Sequence, residues 1–88
     1  MVELSADAAE LIRTLVADTD LPQSAGLRMG TDDQTQALAM NLEPEPHEAD
    51  VVVEHDGASL FISPGAASRL DDQTLHAQLD PRPAFYVD

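Results

Sequence analysis

The segment from Asp50 to Leu79 decides the fold, and its sequence is DVVVEHDGASLFISPGAASRLDDQTLHAQL. At its centre, Asp56-Gly57 separates two apolar-rich runs. This dipeptide predicts a two-residue hairpin, because a type I′ turn requires positive φ at both central residues. The turn then pairs apolar residues across the two strands, so that Val53 faces Leu60, Val51 faces Ile62 and Val52 faces Phe61. The inner half of the hairpin is therefore expected to be buried on both faces.

Helix signals lie on both sides of this hairpin. Ser63-Pro64 predicts the start of a short helix that ends near Leu70, because serine caps the first turn and proline fits the first helical position. Near the N-terminus, Ser5 is a second predicted cap. An amphipathic helix over residues 6 to about 18 follows it, since five apolar residues fall on one helical stripe. These are Ala8, Leu11, Ile12, Leu15 and Val16.

The remaining strands are short. We expect strands at Leu27 to Met29, Ala37 to Leu42, Thr74 to Leu79 and Ala84 to Val87. Residues 43–50 form a Pro- and Glu-rich stretch that predicts an extended, solvated connector. The order of helix, two strands, hairpin, short helix and two strands predicts a single, mainly β, sandwich-like domain over residues 1–88.

This order resembles the HesB/IscA-like family of iron–sulfur A-type carriers. In that family an acidic-Val-Val hairpin with a glycine turn leads to an Asp-Pro or Ser-Pro helix start and another strand. The matching residues here are Asp50, Val51, Val52, Gly57, Ser63, Pro64, Leu70, Asp71 and Leu75. A looser match extends to the N-terminal helix, to Gly26-Leu27-Arg28 and to Ala84-Phe85-Tyr86. The resemblance implies the A-type carrier fold and a place near iron–sulfur cluster biogenesis.

The absence of cysteine separates this chain from the family's chemistry. The resemblance implies three cysteine ligands, one in a glycine-rich loop after the Gly-x-Arg strand and two in a Cys-x-Cys tail. This chain has no cysteine, its loop at residues 31–36 has no glycine, and it ends about where that tail is expected. Iron–sulfur clusters are held by thiolates. We therefore expect the fold without a bound cluster or other cofactor.

Composition limits the partners. Seventeen acidic residues against four arginines and no lysine give a net charge of −13, which disfavours nucleic acid and anionic membrane surfaces and favours basic protein partners. Neither a signal peptide nor a run of ~18 apolar residues is apparent, so a cytoplasmic location is expected. Aromatic residues make up only 3% of the chain. A small aliphatic core of this kind often relies on a partner subunit, so a homo-oligomer is also expected.

Few residues are candidates for a metal site. His47, His55 and His76 fit no known ligand spacing, and the first two are expected to be surface residues. His76 is predicted to lie on the strand face opposite Leu75. Asp32 and Asp33 occupy the loop of the family's first cysteine, where adjacent carboxylates could hold a hard cation weakly. Glu43, Glu45, Glu48 and Asp50 form an acidic cluster that is expected to be a solvated edge.

Catalysis is not expected. Ser63 is explained as a helix cap, and no nucleophile-elbow, P-loop or dinucleotide fingerprint occurs in the chain. The leading hypothesis is a non-enzymatic, cysteine-free HesB/IscA-like protein that binds protein partners of the iron–sulfur assembly machinery. Two alternatives stay open: a weak metal-binding protein that uses Asp32, Asp33 or His76, and an acidic interaction module unrelated to iron.

Overall fold

The computed structural model describes residues 2–32, 34–35 and 37–88. In chain order, the strands and helices are β1 (Glu3–Leu4), α1 (Ala6–Ala17), β2 (Gly26–Thr31), β3 (Leu38–Glu43), β4 (Val51–His55), β5 (Ala58–Ile62), α2 (Pro64–Arg69), β6 (Thr74–Gln78) and β7 (Ala84–Val87). They form a four-stranded sheet in the order β3-β2-β5-β4 and a three-stranded sheet in the order β1-β6-β7. The mainly β architecture with two helices is as predicted.

The central hairpin forms in the predicted register. Val51 pairs with Ile62, Val52 with Phe61 and Val53 with Leu60. Asp56 has φ of 49° and Gly57 has φ of 80°, as a type I′ turn requires. One prediction is wrong: the hairpin is not buried on both faces, because Val52 is 43% exposed while its neighbour Phe61 is 2% exposed. Val52 lies on the edge strand β4, so it has a strand on one side only.

Both helices begin at the predicted caps. The Ser5 hydroxyl accepts a hydrogen bond from the Ala8 backbone N–H, and the Ser63 hydroxyl accepts one from Ala66, each at 3.2 Å. The apolar stripe of α1 packs inward, with Ala8, Leu11 and Ile12 buried and the last turn half-buried. Each cap satisfies a backbone donor that has no partner within its helix.

The core lies between the two sheets and α1 and consists of aliphatic side chains. The largest side chains with almost no exposed area are Ile12, Met29, Leu60, Ile62 and Leu75. Helix α1 contacts β2, β5 and β6, so it joins the two sheets, whereas α2 contacts β2. Among the described residues, no helix has the length and apolarity needed to cross a membrane.

Strand β1 was missing from the sequence prediction. It pairs in parallel with β6, with Glu3 opposite Thr74 and Leu4 opposite Leu75. Two residues give no periodicity, and their partner strand lies far along the chain, so no local pattern indicates this strand. Strand β2 is longer than predicted and β3 starts one residue later, whereas β6 ends at Gln78 and leaves Leu79 outside it.

The segment between β3 and β4 spans the width of the four-stranded sheet, because these strands form its two opposite edges. We call residues 44–50 the crossing segment. Its first residue, Pro44, accepts a hydrogen bond from the Ser24 hydroxyl at 3.4 Å. Its last residue, Asp50, binds a side chain of β2, so the segment is held at both ends.

Candidate functional site

A bidentate ion pair joins Arg28 of β2 to Asp50 of the crossing segment. The Arg28 Nε donates to Asp50 Oδ2 at 2.9 Å, and Nη2 donates to Oδ1 at 3.1 Å. The Arg28 side chain is 23% exposed and the Asp50 side chain is 0% exposed. The prediction that Asp50 belongs to a solvated edge is therefore wrong, because Arg28 draws it onto the sheet.

The two charges of this pair stabilise each other. The hydrogen bonds from Arg28, followed by one from the His47 backbone N–H at 2.9 Å, hold the pKa of Asp50 below its usual value against the opposing effect of burial. The hydrogen bond to Asp50 likewise raises the pKa of Arg28. A bidentate contact of this kind fixes the relative orientation of the two side chains as well as the distance between them. It therefore fixes where the crossing segment meets β4.

A glycine makes room for the arginine. Gly30 lies two residues after Arg28 on the same strand, so both face the same side of the sheet. A Cβ at Gly30 would come to 3.0 Å from the Arg28 Nη1 atom. The absence of a side chain at Gly30 therefore leaves room for the Arg28 guanidinium beside the strand.

Asp32 is a structural residue of the loop between β2 and β3. Its Oδ1 atom accepts hydrogen bonds from the backbone N–H groups of Gln34 at 2.8 Å and Thr35 at 3.2 Å. These two bonds lower the pKa of the Asp32 carboxyl. Asp33, the other loop candidate, lies outside the described residues. The Asp32 carboxylate is thus committed to its own loop, which leaves it a poor ligand for a cation.

His76 lies on β6, on the face opposite Leu75, as predicted. Its ring stacks on that of Tyr86, the residue opposite it on β7, with centroids 5.1 Å apart and planes 19° from parallel. The His76 Nε2 atom lies 2.9 Å from the Asp88 carboxylate. His76 belongs to the three-stranded sheet and Asp32 to a loop of the four-stranded sheet, so the candidate ligands are on different sheets.

The other two histidines lie on the surface, as predicted. The His47 Nε2 atom is 2.9 Å from Glu43, and the His55 Nε2 atom is 3.5 Å from Asp56. Each imidazole therefore lies beside an acidic side chain. Over residues 2–32, 34–35 and 37–88, no three His, Cys, Asp or Glu side chains come together in a group that could hold a metal ion.

Ser63 serves α2 as its cap, and its hydroxyl already accepts a backbone hydrogen bond. It follows β5 in the four-stranded sheet, whereas His76 lies in the other sheet. The structure therefore does not bring this serine and this histidine together as a nucleophile and its base.

Comparison with known proteins identifies the fold. No family model matches the sequence, and no curated protein matches it. Among solved structures, the crystal structure of Escherichia coli SufA, a protein involved in biosynthesis of iron–sulfur clusters, is 30% identical; the match covers 99% of this chain and 83% of SufA, with a TM-score of 0.81. A structure of IscA with a 2Fe-2S cluster is 22% identical, the match covers 100% of this chain and 84% of IscA, and the TM-score is 0.76.

These likenesses confirm the resemblance seen in the sequence. The protein is a mainly β domain with the A-type carrier fold. At 30% identity over most of the SufA chain, the sequence belongs to the HesB/IscA-like family. Of these two structural neighbours, SufA is involved in biosynthesis of iron–sulfur clusters, and the IscA structure contains a 2Fe-2S cluster.

The side chains of this domain do not fit an iron–sulfur cluster. Clusters require soft thiolate ligands, and the sequence contains no cysteine. Of the other candidate ligands within the described residues, Asp32 Oδ1 is bound within its loop and His76 Nε2 contacts Asp88.

Sequence reasoning quoted Arg28 and Asp50 as residues of the family match but did not pair them. A signal was present, since Arg28 lies between two apolar residues in a short strand, and a charge in such a strand needs a partner. The partner is 22 positions away, and eight acidic residues follow Arg28 up to and including Asp56 of the hairpin turn. Spacing alone did not single out Asp50 among them.

Proposed function

We propose that this protein acts in iron–sulfur cluster biogenesis as a non-enzymatic binding partner of other proteins, without holding a cluster on cysteine. The similarity to SufA over 99% of the chain, combined with the lack of any cysteine, supports this proposal. In the proposal, residues 1–88 act as one domain in the cytoplasm. The fold supplies a surface that assembly proteins recognise, and the charge of −13 selects partners with basic surfaces.

The first experiment tests cluster binding. The purified chain is incubated anaerobically with iron and sulfide, desalted, and examined by visible absorption and metal analysis. We expect no charge-transfer absorption and no stoichiometric iron, because thiolate ligands are missing from the whole sequence. IscA, whose structure contains a 2Fe-2S cluster, is treated in the same way as the positive control. A cluster that survives desalting would overturn the proposal.

The second experiment tests the partner class. The tagged chain is cross-linked in the cells that produce it, and captured proteins are identified by mass spectrometry against an equally acidic, unrelated control. We expect proteins of the iron–sulfur assembly machinery to be enriched. Capture of basic proteins without any from that machinery would instead favour an acidic interaction module unrelated to iron. Sedimentation of the same sample measures whether the chain forms a homo-oligomer.

Weak metal binding through oxygen and nitrogen ligands is tested separately by titration with Fe²⁺ and Zn²⁺. No grouping of the described residues favours it. Binding that is lost in both Asp32→Asn and His76→Phe variants would move the function to this second class.

A further inference from the structure

A groove lies where α1 meets the end of β6, apart from the contacts described above. It has a volume of about 500 Å³, in the range of pockets that accept ligands. Its walls include Asp7, Glu10, Leu11 and Thr14 of α1 on one side and Ala77 and Leu79 on the other.

The floor of the groove continues the hydrophobic core. Leu75, Ala77 and Leu79 alternate along the chain, and the first two face α1. Their exposed fractions rise from 0% at Leu75 to 8% at Ala77. Leu79, just beyond the end of β6, is 61% exposed. The apolar row thus extends past the part of the sheet that the helix covers, and Leu79 is the residue left uncovered.

The rim of the groove is acidic. Asp7 and Glu10 are exposed on α1, and within the described part of the chain neither carboxylate forms an ion pair. The chain supplies few cations that could neutralise them, since it contains four arginines and no lysine. Arg28 is bound to Asp50, and Arg13 donates to the Asp56 carbonyl at the hairpin turn.

We propose that this groove binds a protein segment in which large aliphatic side chains are flanked by arginine or lysine. The aliphatic side chains cover Leu79 and extend the core, and the cations meet Asp7 and Glu10. Amphipathic segments bind apolar grooves in this way, and complementary charge sets their orientation and rate of association. A second copy of this chain is a poor occupant, because it brings the same acidic rim and a charge of −13.

This inference rests on the proposed function as a protein-binding domain and names the chemistry of the partner. The probe is a short synthetic peptide with leucines one helical turn apart and arginines at both ends. Two control peptides replace either the leucines with serines or the arginines with glutamates. Binding to the isotope-labelled chain is followed by amide chemical shifts at low and moderate salt.

We expect the largest shifts around Glu10, Thr14 and Leu79, with binding that weakens as salt rises. Leu79→Ser should weaken binding about 10-fold, because it removes a central apolar contact from the site. Val52→Ser is the matched control, since Val52 is 43% exposed but lies on the four-stranded sheet. It should leave the affinity unchanged.

Two double variants test whether the acidic rim of the groove is needed for peptide binding. Asp7→Asn combined with Glu10→Gln should weaken binding and flatten its salt dependence. Asp20→Asn combined with Glu45→Gln removes the same charge from exposed positions outside this groove, so it should have a smaller effect. Equal effects of the two double variants, or equal binding of the control peptides, would overturn the proposal. So would concentration-dependent shifts at Leu79 without peptide, which would indicate a second copy as the occupant.

Capture from cells separates this inference from the proposed function. If the Leu79→Ser chain still captures the iron–sulfur assembly proteins in full, the groove proposal is wrong and the proposed function stands. If the peptide binds as expected but no assembly protein is ever captured, the proposed function is wrong and the groove proposal stands.

Discussion

The two sheets each hold a polar contact to an aspartate, but in different surroundings. On the four-stranded sheet, Arg28 binds Asp50, whose side chain is 0% exposed. On the three-stranded sheet, His76 binds Asp88, whose side chain is 71% exposed. Similar distances therefore do not imply similar energies, because water competes far more for the exposed Asp88 carboxylate than for the Asp50 carboxylate. The first contact should matter for folding and the second should matter little.

The largest expected effect comes from breaking the buried pair. Arg28→Met leaves the Asp50 carboxylate without its guanidinium and should cost about 3 kcal/mol of unfolding free energy, measured by chemical denaturation at pH 7. We expect the lower end of the range for buried pairs, because the Arg28 side chain is 23% exposed and water can reach the site.

Arg82→Met is the matched control for this prediction. Arg82 is exposed in the loop before β7, so the same chemical change should alter stability by less than about 0.5 kcal/mol. Equal losses in the two variants would mean that the pair contributes nothing beyond the removal of one positive charge.

Lowering the pH should remove the stabilisation that the Arg28–Asp50 pair provides. Because the folded state lowers the pKa of Asp50, the pair stabilises the protein fully above the unfolded-state pKa of about 3.9. That stabilisation is lost as pH falls through the lower, folded-state pKa. The difference in unfolding free energy between the wild type and Asp50→Asn should therefore be constant near neutral pH and shrink below about pH 4. A difference that grows on acidification would contradict the assignment.

The next effect tests the hairpin that joins β4 to β5 in the same sheet. Gly57→Val should cost roughly 1–3 kcal/mol, because a β-branched residue is strained at positive φ. A Cβ there would lie 3.6 Å from the Arg13 Cδ atom, an ordinary contact, so the expected loss comes from the backbone and not from crowding. Thermal or chemical unfolding measures it.

The control for this hairpin must be an exposed strand residue. Ala58 follows the turn but is 2% exposed, so Ala58→Val would overfill the core. Glu54→Val adds the same side chain at an exposed position of β4 and should change stability little. If Gly57→Val and Glu54→Val were equally stable, the positive φ would not be what selects glycine at this turn.

The features that the sequence predicts depend on interactions between residues close together in the chain, whereas the features that it misses depend on distant partners. The hairpin register follows from Asp56-Gly57 alone, and both helix starts follow from a serine cap, because these signals act over a few residues. Strand β1 and the burial of Asp50 depend on partners far along the chain. The burial predicted for Val52 is wrong for a related reason. A run of valines does not show that β4 is an edge strand, where this side chain stays exposed.

The candidate site shows the same difference between local and long-range signals. His47 and His55 are surface residues, and His76 faces away from Leu75, as alternation within a strand predicts. The groove beside α1 could not be predicted, because it depends on where the helix stops covering β6. The absence of cysteine, by contrast, is visible in the sequence without any structure.

Raising the salt concentration should stabilise the whole domain but should leave the contribution of the buried pair on the four-stranded sheet largely unchanged. A charge of −13 on this small domain implies self-repulsion, and salt shortens the screening length from about 10 Å at 0.1 M to about 3 Å at 1 M. We expect the melting temperature to rise by several degrees, equivalent to about 1 kcal/mol. Most of the loss caused by Arg28→Met should persist at high salt, because the Asp50 carboxylate is shielded from solvent. A flat or falling melting temperature would mean that local pairs already compensate the acidic residues.

The smallest effect is expected at Asp88. Asp88→Asn keeps an oxygen that can accept from His76 and removes only the charge. The backbone hydrogen bonds between Asp88 and Thr74 do not involve the side chain, and the stacking of His76 on Tyr86 is also retained. Unfolding free energy at pH 7 should therefore change by less than about 0.5 kcal/mol. Asp20→Asn, an exposed change of the same charge, is the reference. A loss above about 1 kcal/mol at Asp88 alone would show that the exposed contact is as important as the buried one, and exposure would then not be the property that separates the two sheets.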